Sequence, residues 1–196
     1  LLFNDMIIGP VKSQRLGNSL GINLLPAKIK KCNFNCIYCQ YDSGDEQNEA
    51  SVEFPSRAQL AEALEARLLK MKYMDQIPDS ITFAGNGEPT LHPEFPAIIE
   101  DTLKLRSRHF PNCDLTVLSN AGNLTKKEIF DALNRVDNNI LKLDAGLEST
   151  FQKINRPKDS ELSLDKIVQQ LQKFRKKAII QTSFVRGEID GENIDN

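Results

Sequence analysis

The chain has 196 residues, of which 40% are hydrophobic and 27% are charged, a composition typical of one globular domain. Its formal net charge of −2 excludes a strong general attraction to nucleic acid or to an acidic membrane surface. No apolar run approaches the roughly 18–20 residues of a membrane span, so we expect no membrane association. The short apolar start lacks the basic region and cleavage site of a signal peptide. We therefore expect a single domain over residues 1–196.

The N-terminal part of the chain carries few regular patterns. Residues 1–20 predict a loop or extension, and the segment 12–21 is polar and contains glycine. Residues 21–25 predict a first strand. Residues 40–54 are acidic and poor in apolar side chains, which indicates a flexible loop.

Strands and helices alternate over the rest of the chain. Short apolar runs, each followed by polar or glycine residues, predict four more strands, at 81–84, 115–118, 140–143 and 178–185. This alternation predicts an α/β fold with a parallel sheet, in which the polar strand ends gather at one edge. The spacing is compatible both with a TIM-like barrel and with an open doubly wound sheet.

Three sequence signals mark the starts of helices between these strands. Ser56 with Gln59, and Thr125 with Glu128, have the spacing of capping boxes. Ser163 precedes the clearest amphipathic stretch in the chain. We expect the apolar stripes of these helices to face the core.

Three of the four cysteines lie close together, in the pattern C-x3-C-x2-C formed by Cys32, Cys36 and Cys39. Such clustering in an ordinary α/β sequence indicates metal binding in a reducing compartment, and we expect the cytoplasm. Thiolates suit soft metals, mainly zinc or iron–sulfur clusters. A cluster held by three cysteines leaves one iron open for a ligand that is not protein.

A structural zinc site would need a fourth protein ligand. The candidates are Cys113, His92 and His109, and none has the short paired spacing usual for zinc. We therefore favour an iron–sulfur cluster, and keep a zinc-stabilised binding module without catalysis as the alternative from another class. Cys113 is interpreted as a small buried hydrophobic residue at a strand start.

Two motifs resemble those of the radical S-adenosylmethionine (SAM) superfamily. The cysteine pattern with Tyr38 matches its C-x3-C-x-φ-C motif, in which φ is aromatic. The run Gly85-Asn86-Gly87-Glu88-Pro89-Thr90 resembles its GGEP motif, with Asn86 as a departure similar to an insertion. Residues 9–21 and 155–157 resemble elements of the wyosine-synthase-related Fe–S oxidoreductases, a subgroup of that superfamily.

The resemblance implies a partial (β/α)6 barrel, open on one side, with a 4Fe–4S cluster ligated by Cys32, Cys36 and Cys39. SAM would chelate the fourth iron through its amino and carboxylate groups. The reduced cluster would cleave SAM to methionine and a 5′-deoxyadenosyl radical, which abstracts hydrogen from the substrate. The sequence predicts five strands, so the barrel is either shorter than six units or truncated before its last unit.

The resemblance also implies which residues contact SAM. Tyr38 is similar to the aromatic residue beside the adenine, and Asp144 to a carboxylate that binds the ribose hydroxyls. The element that receives the SAM ammonium is implied at Gly85, Gly87, Glu88 and Pro89. The polar pair after the next strand is implied at Ser119 and Asn120. Arg156 would pair with the SAM carboxylate. Turn formation at Asn120, helix capping by Asp144 and helix termination at Arg156 are the structural alternatives.

The substrate stays open among small molecules, peptides and RNA. A tRNA-modifying enzyme and a glycyl-radical-enzyme activase are alternatives within the superfamily. The expected partners are SAM and a reductant such as flavodoxin or ferredoxin. Lys28, Lys30 and Lys31 beside the cysteines are interpreted as a solvated face or as residues that steer an anionic partner.

Overall fold

The computed structural model describes residues 2–27, 29–41, 53–174 and 178–184. Most of the predicted acidic loop at 40–54, the position of Lys28 and residue 185 of the last predicted strand lie outside these residues. The prediction of that strand over 178–185 is too long, because residues 182–184 are not in a strand. No helix within the described ranges is long and apolar enough to cross a bilayer.

One six-stranded sheet forms the centre of the fold. Its strands lie side by side in chain order: β1 Ile7–Ser13, β2 Gly17–Ile22, β3 Ser80–Phe83, β4 Asp114–Ser119, β5 Asn138–Lys142 and β6 Ala178–Gln181. β1 pairs with β2 in antiparallel orientation, and β2 to β6 are parallel. The predicted α/β fold with a parallel sheet is confirmed, and the carboxyl ends of five strands meet at one edge.

Within the described ranges, five helices connect the parallel strands. They are α1 Arg57–Tyr73, α2 Phe95–His109, α3 Lys127–Leu133, α4 Glu148–Ile154 and α5 Leu164–Gln172, with a 3₁₀ turn at Pro89–Leu91. The apolar stripe of α1 is buried, with Leu60, Leu64, Leu68 and Met71 at most 3% exposed. Each such side chain contributes about 1.5–3 kcal/mol through burial, so the α1 stripe holds this helix firmly in the core.

Two of the three predicted helix starts are confirmed. Ser56 Oγ accepts from the Gln59 backbone N–H at 3.2 Å, and Gln59 Oε1 accepts from the Ser56 N–H at 2.9 Å. Ser163 Oγ accepts from the Lys166 N–H at 3.3 Å.

The predicted capping box of Thr125 and Glu128 is wrong. Helix α3 begins at Lys127 and has no side-chain cap. The reason is the turn before it, in which the Lys126 N–H donates to the Asn123 carbonyl at 3.1 Å. Thr125 lies inside this turn, one residue before Lys126, which occupies the N-cap position of α3.

The N-terminal prediction of a loop over 1–20 is also wrong, because these residues hold most of the β1–β2 hairpin. β2 ends at Ile22, several residues before the end of the predicted strand at 21–25. β1 contains Gly9 and Pro10, and its pairing with β2 shifts register between Ile8 and Val11. Proline cannot donate to a strand ladder and glycine interrupts the apolar alternation, so an edge strand with both gives no clear strand pattern in the sequence.

Candidate active site

The segment 31–39, here called the cysteine loop, lies at the carboxyl edge of the sheet. Its start forms a one-residue parallel bridge in which the Lys31 N–H donates to the Asn86 carbonyl at 2.8 Å and the Glu88 N–H to the Lys31 carbonyl at 3.0 Å. Its middle forms an antiparallel bridge between Phe34 and Pro157. The loop is thereby fixed between the end of β3 and the end of α4, and its three thiols are half-buried.

Further backbone bonds attach the cysteine loop to the segment 154–158. The Ile37 N–H donates to the Ile154 carbonyl at 2.9 Å, and the Lys158 N–H donates to the Asn33 carbonyl at 2.8 Å. The residues 155–157 that resemble a subgroup element therefore serve as the surface on which the cysteines are placed.

Gly85 and Gly87 allow this close approach of chain segments. A Cβ on Gly87 would lie 1.9 Å from the Lys31 carbonyl oxygen, and Gly87 has a φ of +140°. A Cβ on Gly85 would lie 2.2 Å from Asn23 Oδ1. These contacts require glycine at both positions, whereas contact of either residue with SAM stays a prediction.

Asn86, the departure from the GGEP pattern, anchors two segments. Its Nδ2 donates to the Phe3 carbonyl at 2.8 Å and to the Pro26 carbonyl at 2.9 Å, and its Oδ1 accepts from the Phe3 N–H at 2.8 Å. The side chain is fully buried. Asn86 therefore ties the N-terminal segment and the approach to the cysteine loop to the end of β3.

Glu88 joins the ends of β3 and β4 through a buried carboxylate. It accepts from the Asn120 N–H at 2.7 Å, from Ser119 Oγ at 2.8 Å, and from Thr90 Oγ1 at 2.6 Å. Burial raises the pKa of Glu88, and these hydrogen bonds oppose the rise. Pro89 follows as the first residue of the 3₁₀ turn.

Two carboxamides contact the thiols. Asn120 Nδ2 lies 3.6 Å from Cys32 Sγ, and Asn155 Nδ2 lies 3.6 Å from Cys36 Sγ. Burial, together with the charge of Glu88, raises the pKa of the Cys32 thiol to about 12, and a backbone hydrogen bond from Phe34 opposes this. The thiolate of Cys32 is therefore costly here unless a metal centre supplies the compensating positive charge.

Asp144 lies at the end of β5 within a polar network. Its carboxylate accepts from the Tyr38 hydroxyl, from Asn155 Nδ2 at 2.7 Å and from the Ser183 N–H at 2.8 Å. Lys142 Nζ lies 3.4 Å from Asp144 Oδ1, 4.6 Å from the centre of the Tyr38 ring, and donates to Ser183 Oγ at 2.7 Å. Burial and the hydrogen bond to Asp144 raise the pKa of Tyr38, so its hydroxyl remains a donor.

Sequence reasoning missed Lys142 and Asn155 as members of this network. A signal for Lys142 existed, since it is a charged residue at the end of a buried strand, two positions before Asp144. Asn155 was noted only as part of a subgroup element.

Arg156 lies at the junction after α4. It is exposed, has a φ of +46°, and its Nε donates to the Lys153 carbonyl at 3.3 Å. A pairing of Arg156 with the SAM carboxylate stays a prediction.

The three candidates for a fourth zinc ligand are engaged elsewhere. His92 Nε2 lies 2.8 Å from the Pro55 carbonyl and its Nδ1 accepts from the Glu94 N–H at 3.0 Å, so both ring nitrogens are used. His109 lies beside Glu65. Cys113 is buried at the amino end of β4, as predicted, and burial raises its pKa to about 12.

The donor set fits an iron–sulfur cluster. Three soft thiols lie in one half-buried loop, with N–H donors beside two of them. Within the described ranges, no group of three His, Cys, Asp or Glu side chains is arranged around a single metal ion. Asn155 Oδ1 is buried and has no hydrogen-bond partner among the residues that the structure describes. An N–H or O–H of a bound ligand would satisfy this acceptor.

A model of the family named Radical SAM superfamily matches residues 28–196. The chain belongs to the radical SAM superfamily. The match covers the cysteine loop, the strand ends and the network of Asp144.

Curated relatives are longer than this chain. It is 37% identical over 170 residues to a Brachyspira hyodysenteriae protein named GTPase Obg, covering 87% of this chain and 23% of that protein. It is 31% identical over 184 residues to a UPF0026 protein of Methanocaldococcus jannaschii, covering 92% of this chain and 54% of that protein. The chain thus spans about half the length of this UPF0026 relative.

The fold is similar to that of a solved structure described as native anSMEcpe with bound AdoMet. The TM-score is 0.56 at 19% identity, over 82% of this chain and 43% of that chain. The likeness supports the predicted superfamily fold. Membership of the wyosine-related subgroup stays a prediction.

Proposed function

We propose that this radical SAM protein is an enzyme that holds a 4Fe–4S cluster on Cys32, Cys36 and Cys39 and binds SAM at the open iron. The observation that carries the proposal is the placement of these three half-buried thiols at the carboxyl edge of the sheet. When bound and reduced, the cluster supplies the electron that cleaves SAM to methionine and a 5′-deoxyadenosyl radical, which abstracts hydrogen from the substrate.

The chain itself holds the cysteine loop rigidly and keeps the groups around it partly shielded from water. The bridges at Lys31 and Phe34 fix the cysteine loop at its start and in its middle. Glu88 holds the neighbouring strand ends together without exposing its own carboxylate. Such preorganisation keeps the reacting groups aligned without reorganisation during turnover.

For SAM itself, the candidate contacts fall at the strand ends. The carbonyls of Gly85 and Asn86 already accept backbone hydrogen bonds from Gly87 and Lys31. The Gly87 carbonyl is therefore our candidate acceptor for the SAM ammonium. Asp144 is proposed to accept from the ribose hydroxyls.

The test is the formation of 5′-deoxyadenosine by the anaerobically reconstituted chain with SAM and dithionite. We expect the product from the wild type and from Cys113→Ala, whose thiol lies at the opposite edge of the sheet, but not from Cys39→Ala. Unchanged product in Cys39→Ala contradicts the mechanism. Metal analysis that finds about one zinc per chain, without iron or sulfide, would instead support the zinc-binding module.

The wyosine-related subgroup is a finer proposal that rests on residues 9–21 and 155–157. The first segment builds most of the β1–β2 hairpin and the second receives the cysteine loop. Both tasks are structural, so the likeness supports a shared framework more than a shared substrate. Binding of tRNA, compared with binding of a peptide or protein substrate, tests the substrate class directly.

A further inference from the structure

Asn120 and Asn155 bring carboxamide donors to two of the three thiols from different parts of the fold. Asn120 directly follows β4, and Asn155 directly follows α4. Each Nδ2 lies 3.6 Å from its sulfur, Cys32 and Cys36 respectively.

Both donor hydrogens of the Asn120 carboxamide are assigned. One Nδ2 hydrogen reaches Asn33 Oδ1 at 2.7 Å, which leaves the other for Cys32. Oδ1 accepts from the Gly122 N–H at 2.9 Å, and the backbone N–H of Asn120 donates to Glu88. Because a carboxamide has only two donor hydrogens, none remains for SAM. The donor hydrogens of Asn120 thus serve Asn33 and Cys32, and its contact with SAM stays a prediction.

Asn155 makes a second, weaker contact of the same kind. Its Nδ2 donates to Asp144 at 2.7 Å and lies 3.2 Å from the Tyr38 hydroxyl, in addition to Cys36. Because the two hydrogens of Asn155 Nδ2 are shared among these three neighbours, its hydrogen bond to Cys36 Sγ is weaker than a dedicated one. Asn120 is therefore the better candidate for an effect on the cluster.

We propose that Asn120, assisted by Asn155, is a positioning residue whose N–H group raises the reduction potential of the cluster. This inference rests on the proposed 4Fe–4S cluster. Reduction transfers one electron, from dithionite or a physiological reductant, to the cluster without breaking a bond. The added negative charge spreads onto the ligand sulfurs, and an N–H dipole aimed at a sulfur stabilises it. Hydrogen bonds to the sulfurs are one of the factors that set such potentials.

The first test compares Asn120→Ser with Asn123→Ser by redox titration without SAM, at matched iron and sulfide content. Serine is neutral and its hydroxyl can accept from the Gly122 N–H, but it is too short to reach Cys32. Asn123 lies in the same loop and donates to Thr90 Oγ1 at 3.0 Å, with no contact to a thiol. We expect the midpoint of Asn120→Ser to move to a more negative potential and that of Asn123→Ser to equal the wild-type value.

The second test needs no variant. Asparagine labelled with ¹⁵N in its carboxamide should give a ¹⁵N coupling to the reduced wild-type cluster in pulsed electron paramagnetic resonance. A cluster without this coupling overturns the inference, as does an unchanged midpoint in fully loaded Asn120→Ser, and both leave the proposed function standing. A wild-type chain that assembles no 4Fe–4S cluster overturns the proposed function itself. If Asn120→Ser does not load, the coupling in the wild type decides.

Discussion

The buried carboxylate of Glu88 accepts a hydrogen bond from the backbone N–H of Asn120 at 2.7 Å, and so links the carboxyl ends of β3 and β4. Among the described residues, its other hydrogen-bond donors are Thr90 in the 3₁₀ turn and Ser119 at the end of β4. Glu88 therefore acts as the junction of the site, and its substitution tests how the site is held.

Glu88→Gln should change how stability depends on pH. Because burial raises the pKa of Glu88 from 4.5, the folded chain keeps a proton that the unfolded chain releases as the pH rises past 4.5. The wild-type free energy of unfolding should consequently fall, relative to that of Glu88→Gln, from pH 4.5 toward the raised pKa. Urea denaturation of the reduced, metal-free chain across this range measures the difference. A difference that stays constant up to about pH 8 would contradict the assignment.

Gly87→Ala should prevent the cysteine loop from docking. The new Cβ would lie 1.9 Å from the backbone carbonyl of Lys31, and backbone cannot move aside as a flexible side chain can. We expect a loss of about 3–5 kcal/mol in the free energy of unfolding and a loss of iron incorporation. Gly146→Ala is the matched control, since a Cβ there meets nothing within 4 Å, and should change stability by less than about 1 kcal/mol. Normal iron content in Gly87→Ala would refute the role of the bridge.

Asp144→Asn should weaken SAM binding, whereas Tyr38→Phe should not. The hydroxyl of Tyr38 occupies an acceptor position of Asp144 that a ribose would need. Tyr38→Phe keeps the aromatic ring and frees that position, so the affinity for SAM should hold or increase by up to about tenfold. Asp144→Asn removes the charged acceptor and should weaken binding about tenfold or more. Both affinities follow from the change in the reduced-cluster spectrum as SAM is titrated, and weaker binding in Tyr38→Phe would place its hydroxyl on SAM.

Arg156→Gly should separate stability from SAM binding. A non-glycine residue at a φ of +46° is strained, and glycine relieves this strain at some cost in unfolded-state entropy, so a gain of up to about 1 kcal/mol is expected. If Arg156 pairs with the SAM carboxylate, the same change should weaken SAM binding several-fold. Asp75→Gly, at a φ of +55° just after α1, offers the same backbone relief and should leave SAM binding unchanged. Equal SAM affinities in the two variants would remove Arg156 from the site.

The sequence predicted secondary structure well where a local pattern of side chains favours one kind of element. Short, mainly apolar runs bounded by turn residues predicted β3, β4 and β5 within two residues of their bounds, since that length and those flanks favour a buried strand. The hairpin of β1 and β2 was missed because Pro10 and Gly9 remove the alternation on which strand prediction depends. Local patterns thus predicted β3 to β6 and failed at β1 and most of β2.

In the candidate site too, features within one short segment were predictable from the sequence, and contacts between distant segments were not. Cys32, Cys36 and Cys39 are close in sequence, so their spacing alone predicts a shared centre. The contact of Tyr38 with Asp144 joins residues 106 positions apart, and no local pattern contains it. Asn86 was visible as a departure from a motif, but its reason lies in Phe3, 83 positions away.

The long reach of Asn155 to Cys36 has a consequence for the synthesis of the protein. The two residues are 119 positions apart, so the thiols leave the ribosome well before the segment that receives their loop. Until that segment follows, the growing chain exposes three cysteines without their hydrogen-bonding neighbours. Contacts of such high sequence separation incur a larger loop-closure entropy and slow folding, so we expect the proposed cluster to be inserted only after synthesis has passed residue 158.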